Sequence, residues 1–278
     1  MSRIQHILDK AERDGAVQRM RVVVETPSAL ASLGTMPAVG TTIVPPIATP
    51  VEPPLEDAAP LSPMRVVTDT QLDPRLVAAS APASIVAEQY RAMRTRILHG
   101  DTGAAVNVVL ITSPAAGDGK SLTVANLGLA MAQEFQRRVC VVDANLRQPQ
   151  LHRLFGVPDT PGLSDVLAGR VPLDDAFIAL AEHHLTVLPA GTAPAHPAEL
   201  LGTITMRRVI DTLRARFDAV LVDAPAVAPL ADVGILNPLV DSVIVVVRAG
   251  VTTKPAIHDT IAALDGGRLL GVVLNDAV

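Results

Sequence analysis

The chain has 278 residues, 49% of them apolar and 2% aromatic, with a formal net charge of −5 and a single cysteine. That length supports one or two domains with a sizeable core, which must be aliphatic. Scattered basic residues argue against a nucleic-acid footprint, and one thiol excludes disulfides and cysteine-based metal sites; no apolar run approaches the roughly 18 residues of a membrane span. The N-terminus, MSRIQHILDKAERDG, is charged from Arg3 onward, so no secretory signal is expected and the cytoplasm is the expected location.

In chain order, Ser2 and Gln5 read as a capping box, and Ile4, Ile7, Leu8 and Ala11 recur at helical spacing until Gly15. Residues 1–20 are therefore expected to form a short amphipathic helix, too short to be stable alone. Eight prolines between Pro37 and Pro63 make residues 21–65 a flexible, Pro-rich linker, and folded sequence is expected over 66–278. Ser84 can cap a helix reaching about Ile97, with Ile85, Val86, Met93 and Ile97 on its apolar side. Glu88, Arg91 and Arg94 follow at i, i+3 spacing; on spacing alone they describe a surface helix with internal ion pairs.

The central stretch is VNVVLITSPAAGDGKS, Val106 to Ser121. An apolar, β-favouring run ends at Thr112, a small-residue loop follows, and Gly119-Lys120-Ser121 opens the apolar segment LTVANLGLAMAQEF. Strand, phosphate loop, helix is the order this predicts. Gly117 and Gly119 let the backbone curl its N–H groups toward a polyphosphate at a helix N-terminus. Lys120 would lie along the β- and γ-phosphates, and the Ser121 hydroxyl would ligate Mg2+. Pro114 stands where the usual G-x-x-x-x-G-K-[ST] pattern begins with Gly, so the assignment rests on the strand before the loop and the helix after it.

Arg138 to Val142 reads as a second buried strand ending at Asp143, with Cys140 expected as a buried structural thiol. DANLRQPQLHRLFG then leaves the strand's C-terminal edge, where open α/β sheets bind ligands. A short helix over Gly162–Gly169, a strand at Leu185–Leu188, a helix from about Met206 to Phe217 and a strand ending at Asp223 follow. Strands at Ser242–Val247 and Leu269–Leu274, separated by a helix in TTKPAIHDTIAAL, complete the set. Alternation of strands and helices implies an α/β fold, a mostly parallel central sheet flanked by helices and preceded by a largely disordered Pro-rich tail. Arg207, Arg208, Arg214 and Arg216 read as a solvated helix face. His152 and His196 have no second ligand at metal spacing and are expected to be structural.

Three strand ends deliver Lys120 with Ser121, then Asp143, then Asp223. A lone Asp ending an apolar strand is more often a helix cap. Three such ends around a phosphate loop supply the hydroxyl and carboxylates that a Mg·nucleotide needs.

In these segments the chain resembles the bacterial tyrosine kinases of capsule and exopolysaccharide synthesis, over roughly Leu72 to Val278. The resemblance is carried by EQYRAMR, SPAAGDGKS, VVDANLR, QLHRLFG, GLSDVLAG, LPAGTAPAHPAELL, FDAVLVDAP, VVVRAGVTTK and LLGVVLND. It implies a P-loop NTPase fold and ATP-dependent tyrosine phosphorylation regulating polysaccharide synthesis and export. Lys120, Asp143 and Asp223 would be catalytic, and Ser121, Asp143 and Asp223 would hold Mg2+. ATP would be contacted by Ala116, Gly117, Asp118, Gly119, Lys120, Ser121, Leu122 and Arg147. Self-association through Glu88, Arg91 and Arg94 is implied. So are a membrane-embedded activator of the chain-length-regulator type, which would recruit the protein to the inner face of the membrane, and a tyrosine-bearing protein substrate.

The chain departs from that family in three places. Asn145 replaces the second carboxylate of an Asp-x-Asp-x-Arg pattern, and Ala224 and Ala226 flank Pro225 after Asp223. The family's C-terminal tyrosine cluster has no counterpart before Val278, and Tyr90 is the one tyrosine. Three readings follow: a tail outside this sequence, an acceptor on another protein, or a nucleotide-binding regulator without kinase activity. Septum-positioning and partition ATPases share the architecture, but carry a lysine where this chain has Ala115.

Overall fold

The structure is a computed structural model that describes residues 21–23, 64–99, 106–134, 137–227, 231–264 and 269–275. The expected helix in residues 1–20 and most of the expected linker lie outside the described residues. Within the 21–65 segment, strand β1 (Arg21–Val23) is described, and strand β2 (Arg65–Val67) begins at that segment's last residue.

After β2 come two helices, α1 (Val77–Ser80) and α2 (Ile85–His99). Strand β3 (Val108–Thr112) is entirely buried, and helix α3 (Lys120–Ala132) follows after a loop of seven residues. Strand β4 (Val139–Asp143) precedes the short helices α4 (Leu151–Phe155), α5 (Leu163–Leu167) and α6 (Leu173–Ala176). Strands β5 (Ile178–Leu180) and β6 (Leu185–Leu188) follow, then α7 (Pro197–Leu201) and α8 (Ile204–Arg216). Strand β7 (Ala219–Asp223), helix α9 (Asp232–Leu236), strand β8 (Ser242–Arg248), helix α10 (Lys254–Ala263) and strand β9 (Leu269–Asn275) complete the order.

The strands form one sheet in the order β1-β9-β8-β3-β7-β4-β6-β5-β2. Only the β1·β9 and β5·β6 pairings are antiparallel. Strands β3, β4 and β7 are buried throughout and read as apolar runs that end in Thr112, Asp143 and Asp223, as a parallel sheet covered on both faces requires. Their residues still divide by parity. Val109, Ile111, Val139, Val141, Ala219 and Leu221 pack with α2 and α3 on one face, while Val108, Leu110, Cys140, Val142, Val220 and Val222 pack with α8 on the other. Cys140 is a buried thiol whose pKa burial drives far upward, as expected for a structural residue. Phe177 and Phe217 meet edge to face at 5.8 Å in the second cluster.

Helix α3 is the centre of its layer: of its thirteen residues only Leu122 is not buried. Its packing on the sheet is close enough that a Cβ on Gly128 would lie 2.6 Å from Val141 Cγ1. Helix α2 departs from the expected phase. Its buried stripe is Ala87, Tyr90, Met93 and Ile97, whereas Ile85 is 66% exposed and Val86 37%. Val86 is in phase with Tyr90 and Met93 but sits in the helix's first turn, and Ile85 lies off the stripe. The Ser84 hydroxyl does cap this helix, accepting from the Ala87 N–H at 3.2 Å.

The tight α3–β4 contact yields a test of the packing. Gly128→Leu is expected to destabilise the protein by about 1–3 kcal/mol through overpacking, and Gly128→Ala by less, read as lowered denaturant midpoints at an unchanged slope.

Candidate active site

The loop between β3 and α3 is shaped by two left-handed residues, Gly117 at φ +90° and Gly119 at φ +95°. At Gly119 the demand for glycine is double, because a Cβ there would stand 2.0 Å from the Asn275 Nδ2. Asp118 is 2% exposed and braces the loop. Its Oδ2 accepts from the Ala115 N–H at 2.9 Å, its Oδ1 accepts from the Thr252 hydroxyl at 2.9 Å, and its carbonyl accepts from Asn275 Nδ2 at 3.0 Å. The Thr252 hydroxyl is in turn positioned by the Arg248 N–H at 2.8 Å. A cavity of about 220 Å³ adjoins this loop, lined on the far side by Arg248, Val251, Thr252, Thr253 and Ala256.

Asp143 and Asp223 end neighbouring parallel strands and stand in register with each other. By parity they continue the strand face covered by α3, which opens with the buried Lys120 and Ser121. Three more bonds tie the strand tips together. Ala144 N–H donates to the Asp223 carbonyl at 2.9 Å, the Thr112 hydroxyl to the Pro225 carbonyl at 2.7 Å, and Val227 N–H to the Ser113 carbonyl at 2.9 Å.

The two carboxylates are fully buried but differently satisfied. Asp143 accepts from Gln150 and Leu151 N–H at 3.0 Å each and from Asn145 N–H at 3.2 Å. Asp223 has no hydrogen-bond partner on either oxygen. The Lys120 ammonium and Ser121 hydroxyl lie close enough to ease its charge, although neither makes a bond of ordinary geometry. Burial raises the pKa of both acids, and the Asp223 charge raises that of Asp143 further. Two orphaned buried oxygens beside a second carboxylate and a hydroxyl fit a hard, oxygen-seeking cation. Among the described residues no group of three or more His, Cys, Asp or Glu side chains is placed to hold a metal. A cation here would complete its shell with phosphate oxygens and water, as Mg2+ commonly does.

The remaining expected residues fall in three places. Ala116, Gly117, Asp118, Gly119, Lys120, Ser121 and Leu122 form the loop and the first turn of α3. Arg147 leaves the β4 tip but is engaged by Asp232, with Nε–Oδ2 at 2.8 Å and Nη2–Oδ1 at 3.1 Å. Glu88, Arg91 and Arg94 lie on α2, away from the carboxylates. Arg91 pairs with Glu88 and donates to the Pro82 carbonyl at 2.8 Å, and Arg94 donates to the Ala130 carbonyl at 2.9 Å. Asn145 spends its amide on its own turn, donating to the Gln148 carbonyl at 2.9 Å. Tyr90 is 2% exposed beside Thr123 and Asn126, and burial raises its phenol pKa far above the usual range. Thr252, Asn275 and Asp232 were not singled out as site residues from sequence, and Asp118 was expected as a nucleotide contact rather than as the brace of the loop. The first two lie in VVVRAGVTTK and LLGVVLND, but the contacts that matter span 134 and 157 residues along the chain.

A glycine-shaped loop between a buried strand and helix, facing two acidic strand tips in a mostly parallel sheet, defines a P-loop nucleotide-binding protein. The tyrosine-protein kinase YwqD of Bacillus subtilis is 35% identical over 208 residues, covering 74% of this chain and 87% of YwqD. The putative tyrosine-protein kinase EpsB of Ralstonia solanacearum is 34% identical over 223 residues, covering 78% of this chain but only 30% of EpsB. The kinase domain of the Escherichia coli tyrosine kinase ETK superposes with a TM-score of 0.69 at 28% identity, covering 73% of this chain and 80% of that domain. No family model matches the chain. The chain belongs to the family of bacterial tyrosine-protein kinases.

Because both carboxylates have pKa values raised by burial, the folded metal-free protein binds protons more tightly than the unfolded chain. Its stability therefore falls as pH rises above about 4, the unfolded carboxylate value, through the raised pKa range. Asp223→Asn removes one of the two charges. In chelator, the variant is expected to melt roughly 3–6 °C above wild type at pH 8, with the gap narrowing toward pH 5.

Proposed function

We propose that this chain phosphorylates tyrosine with Mg·ATP, using the loop 116–122 to hold the nucleotide and Asp143 and Asp223 to hold the metal. The single observation that carries this reading is the Asp223 carboxylate, fully buried with both oxygens unpartnered, at the mouth of a phosphate loop. Bound Mg2+ would neutralise charge on the β- and γ-phosphates. The loop's backbone N–H groups bind the phosphate oxygens, and the Lys120 ammonium stabilises negative charge there. Ser121 and Asp223 are the proposed first ligands. Asp143, beside them, accepts the proton of the tyrosine hydroxyl as its oxygen bonds to the γ-phosphorus and the bond to the β-phosphate oxygen breaks, releasing ADP.

Tyr90 is not the proposed acceptor, because its hydroxyl is packed under α2 against the first turns of α3. The proposed acceptor is a tyrosine on a protein substrate. Among the described residues no helix is long and apolar enough to cross a membrane. Recruitment to the inner face of the membrane is proposed to come from a partner, a membrane-embedded activator of polysaccharide export. Glu88, Arg91 and Arg94 are the proposed self-association surface. The pathway in which the chain acts is proposed to be exopolysaccharide or capsule synthesis.

Asn145 favours a second reading, a nucleotide switch that hydrolyses ATP without transferring phosphate to tyrosine. Its amide cannot take a proton or offer a metal a charge, and it is occupied by the turn 145–148. One paired assay separates the two. Purified protein with Mg·ATP and a tyrosine-bearing peptide is expected to release ADP and form phosphotyrosine. Lys120→Met should lower both by roughly 10²-fold or more, and Asn145→Asp should raise phosphotyrosine formation. ADP release without phosphotyrosine in both wild type and Asn145→Asp would establish the switch instead.

A further inference from the structure

We propose that Asp232 is a positioning residue of the phosphoryl-transfer site: it holds the Arg147 guanidinium side-on, so that the arginine's free N–H edge meets the phosphate oxygens of the nucleotide. The inference rests on the proposed phosphoryl-transfer function and adds to it a residue that the sequence reading did not single out.

Asp143 and Asp223 are adjacent and in register, so the two loops leaving these strand tips form opposite lips of one mouth. Arg147 stands four residues beyond Asp143. Asp232 stands nine residues beyond Asp223, at the start of α9. The pair therefore links the two lips, and it does so with two parallel hydrogen bonds of 2.8 and 3.1 Å, the fork geometry that fixes a guanidinium plane as well as its position. Burial is asymmetric: the Asp232 side chain is 1% exposed, whereas that of Arg147 is 35% exposed. A buried carboxylate with one partner is costly unless that partner stays in place, so the pairing constrains Arg147 strongly. Two of the five guanidinium N–H donors are used by Asp232, and the described residues take none of the others. What remains is a cation held on one side, with donors left on its other edge, four residues beyond the Asp143 strand tip. Arginine suits that task better than lysine because its charge is fixed and its donors are planar.

A long side chain on a four-residue turn would otherwise sample many rotamers, each a loss of orientation at the moment charge develops on the transferring phosphate. Asp232 removes that freedom without touching the substrate. Its effect should thus pass through Arg147 alone and fall on turnover more than on nucleotide affinity.

The test is a double-mutant cycle in the full chain, with Arg147→Ala, Asp232→Ala and both together. It is read as kcat and KM for ADP release and for phosphotyrosine formation, beside Kd for Mg·ADP. Arg147→Ala is expected to lower kcat by roughly 10²-fold. Asp232→Ala should lower it by roughly tenfold or more with KM changed less, and the double variant should be no slower than Arg147→Ala alone. Losses that multiply in the double variant would overturn the inference, because independent contributions add in free energy. Asp232→Asn keeps the shape of the side chain and is judged by the same cycle should Asp232→Ala fail to fold. A working wild type with Asp232→Asn and Asp232→Ala at full kcat refutes this inference alone. A wild type that neither binds Mg·nucleotide nor releases ADP refutes the proposed function, and this inference with it.

Discussion

Two carboxylates buried side by side at the tips of adjacent strands are the constraint around which the rest of this structure is arranged. Moving one such charge from water into a protein interior is unfavourable by several kcal/mol, and a second like charge in register makes the first worse. Asp143 meets that cost with three backbone N–H groups from the turn and helix that follow it. Asp223 does not: both of its oxygens are buried without a partner, eased only by the nearby Lys120 and Ser121. A protein keeps such a group where a ligand will complete it, because stability alone would favour its replacement. The two acids also differ in what they are tied to: the Asp223 oxygens are left open, whereas Asp143 is bound to the turn that carries Asn145 and Arg147, so that any change at Asp143 is felt along that lip.

The phosphate loop shows the same economy in the opposite sense, with every polar group of its brace satisfied. A loop rich in glycine and alanine has high conformational freedom in solution, and curling it round an anion costs ordering entropy at the moment of binding. Here much of that entropy is lost already on folding. The Asp118 carboxylate takes the Ala115 N–H and the Thr252 hydroxyl, and its carbonyl is held by Asn275. The partners come from the ends of β8 and β9, which pair at Arg248 and Asn275. A loop contributed by one strand is thereby fixed by two others.

Much of this architecture was legible in the sequence. The strands at Val108–Thr112, Val139–Asp143 and Ala219–Asp223 were marked by apolar runs ending in polar residues, the strand at Leu185–Leu188 by the Pro-rich segment it leads into, and the helix at Lys120 by what preceded it. Legibility failed where the determining contact is distant. Strands β2 and β5, at three residues each, are too short for any pattern. Periodicity assigned Ile85 to the buried side of α2, but the stripe is chosen by what α3 presents, and Ile85 lies outside it. Arg147 was expected at the site from sequence, but its ion-pair partner was not. Asp232 lies 85 residues away in a segment with no recognisable pattern, and only the sheet order brings the two loops together.

Helix α2 joins the nucleotide site to the surface proposed for self-association. Its inner stripe places Tyr90 beside Thr123 and Asn126, one turn beyond the phosphate loop, and its outer face carries Glu88 and Arg91. Arg94 lies between, donating to the Ala130 carbonyl on α3. In the single chain the arginines therefore already have partners, and assembly through them would exchange intrachain bonds for interchain ones. Exposed ion pairs contribute about 0–1 kcal/mol each, so such an exchange is close to neutral and the association it drives is reversible.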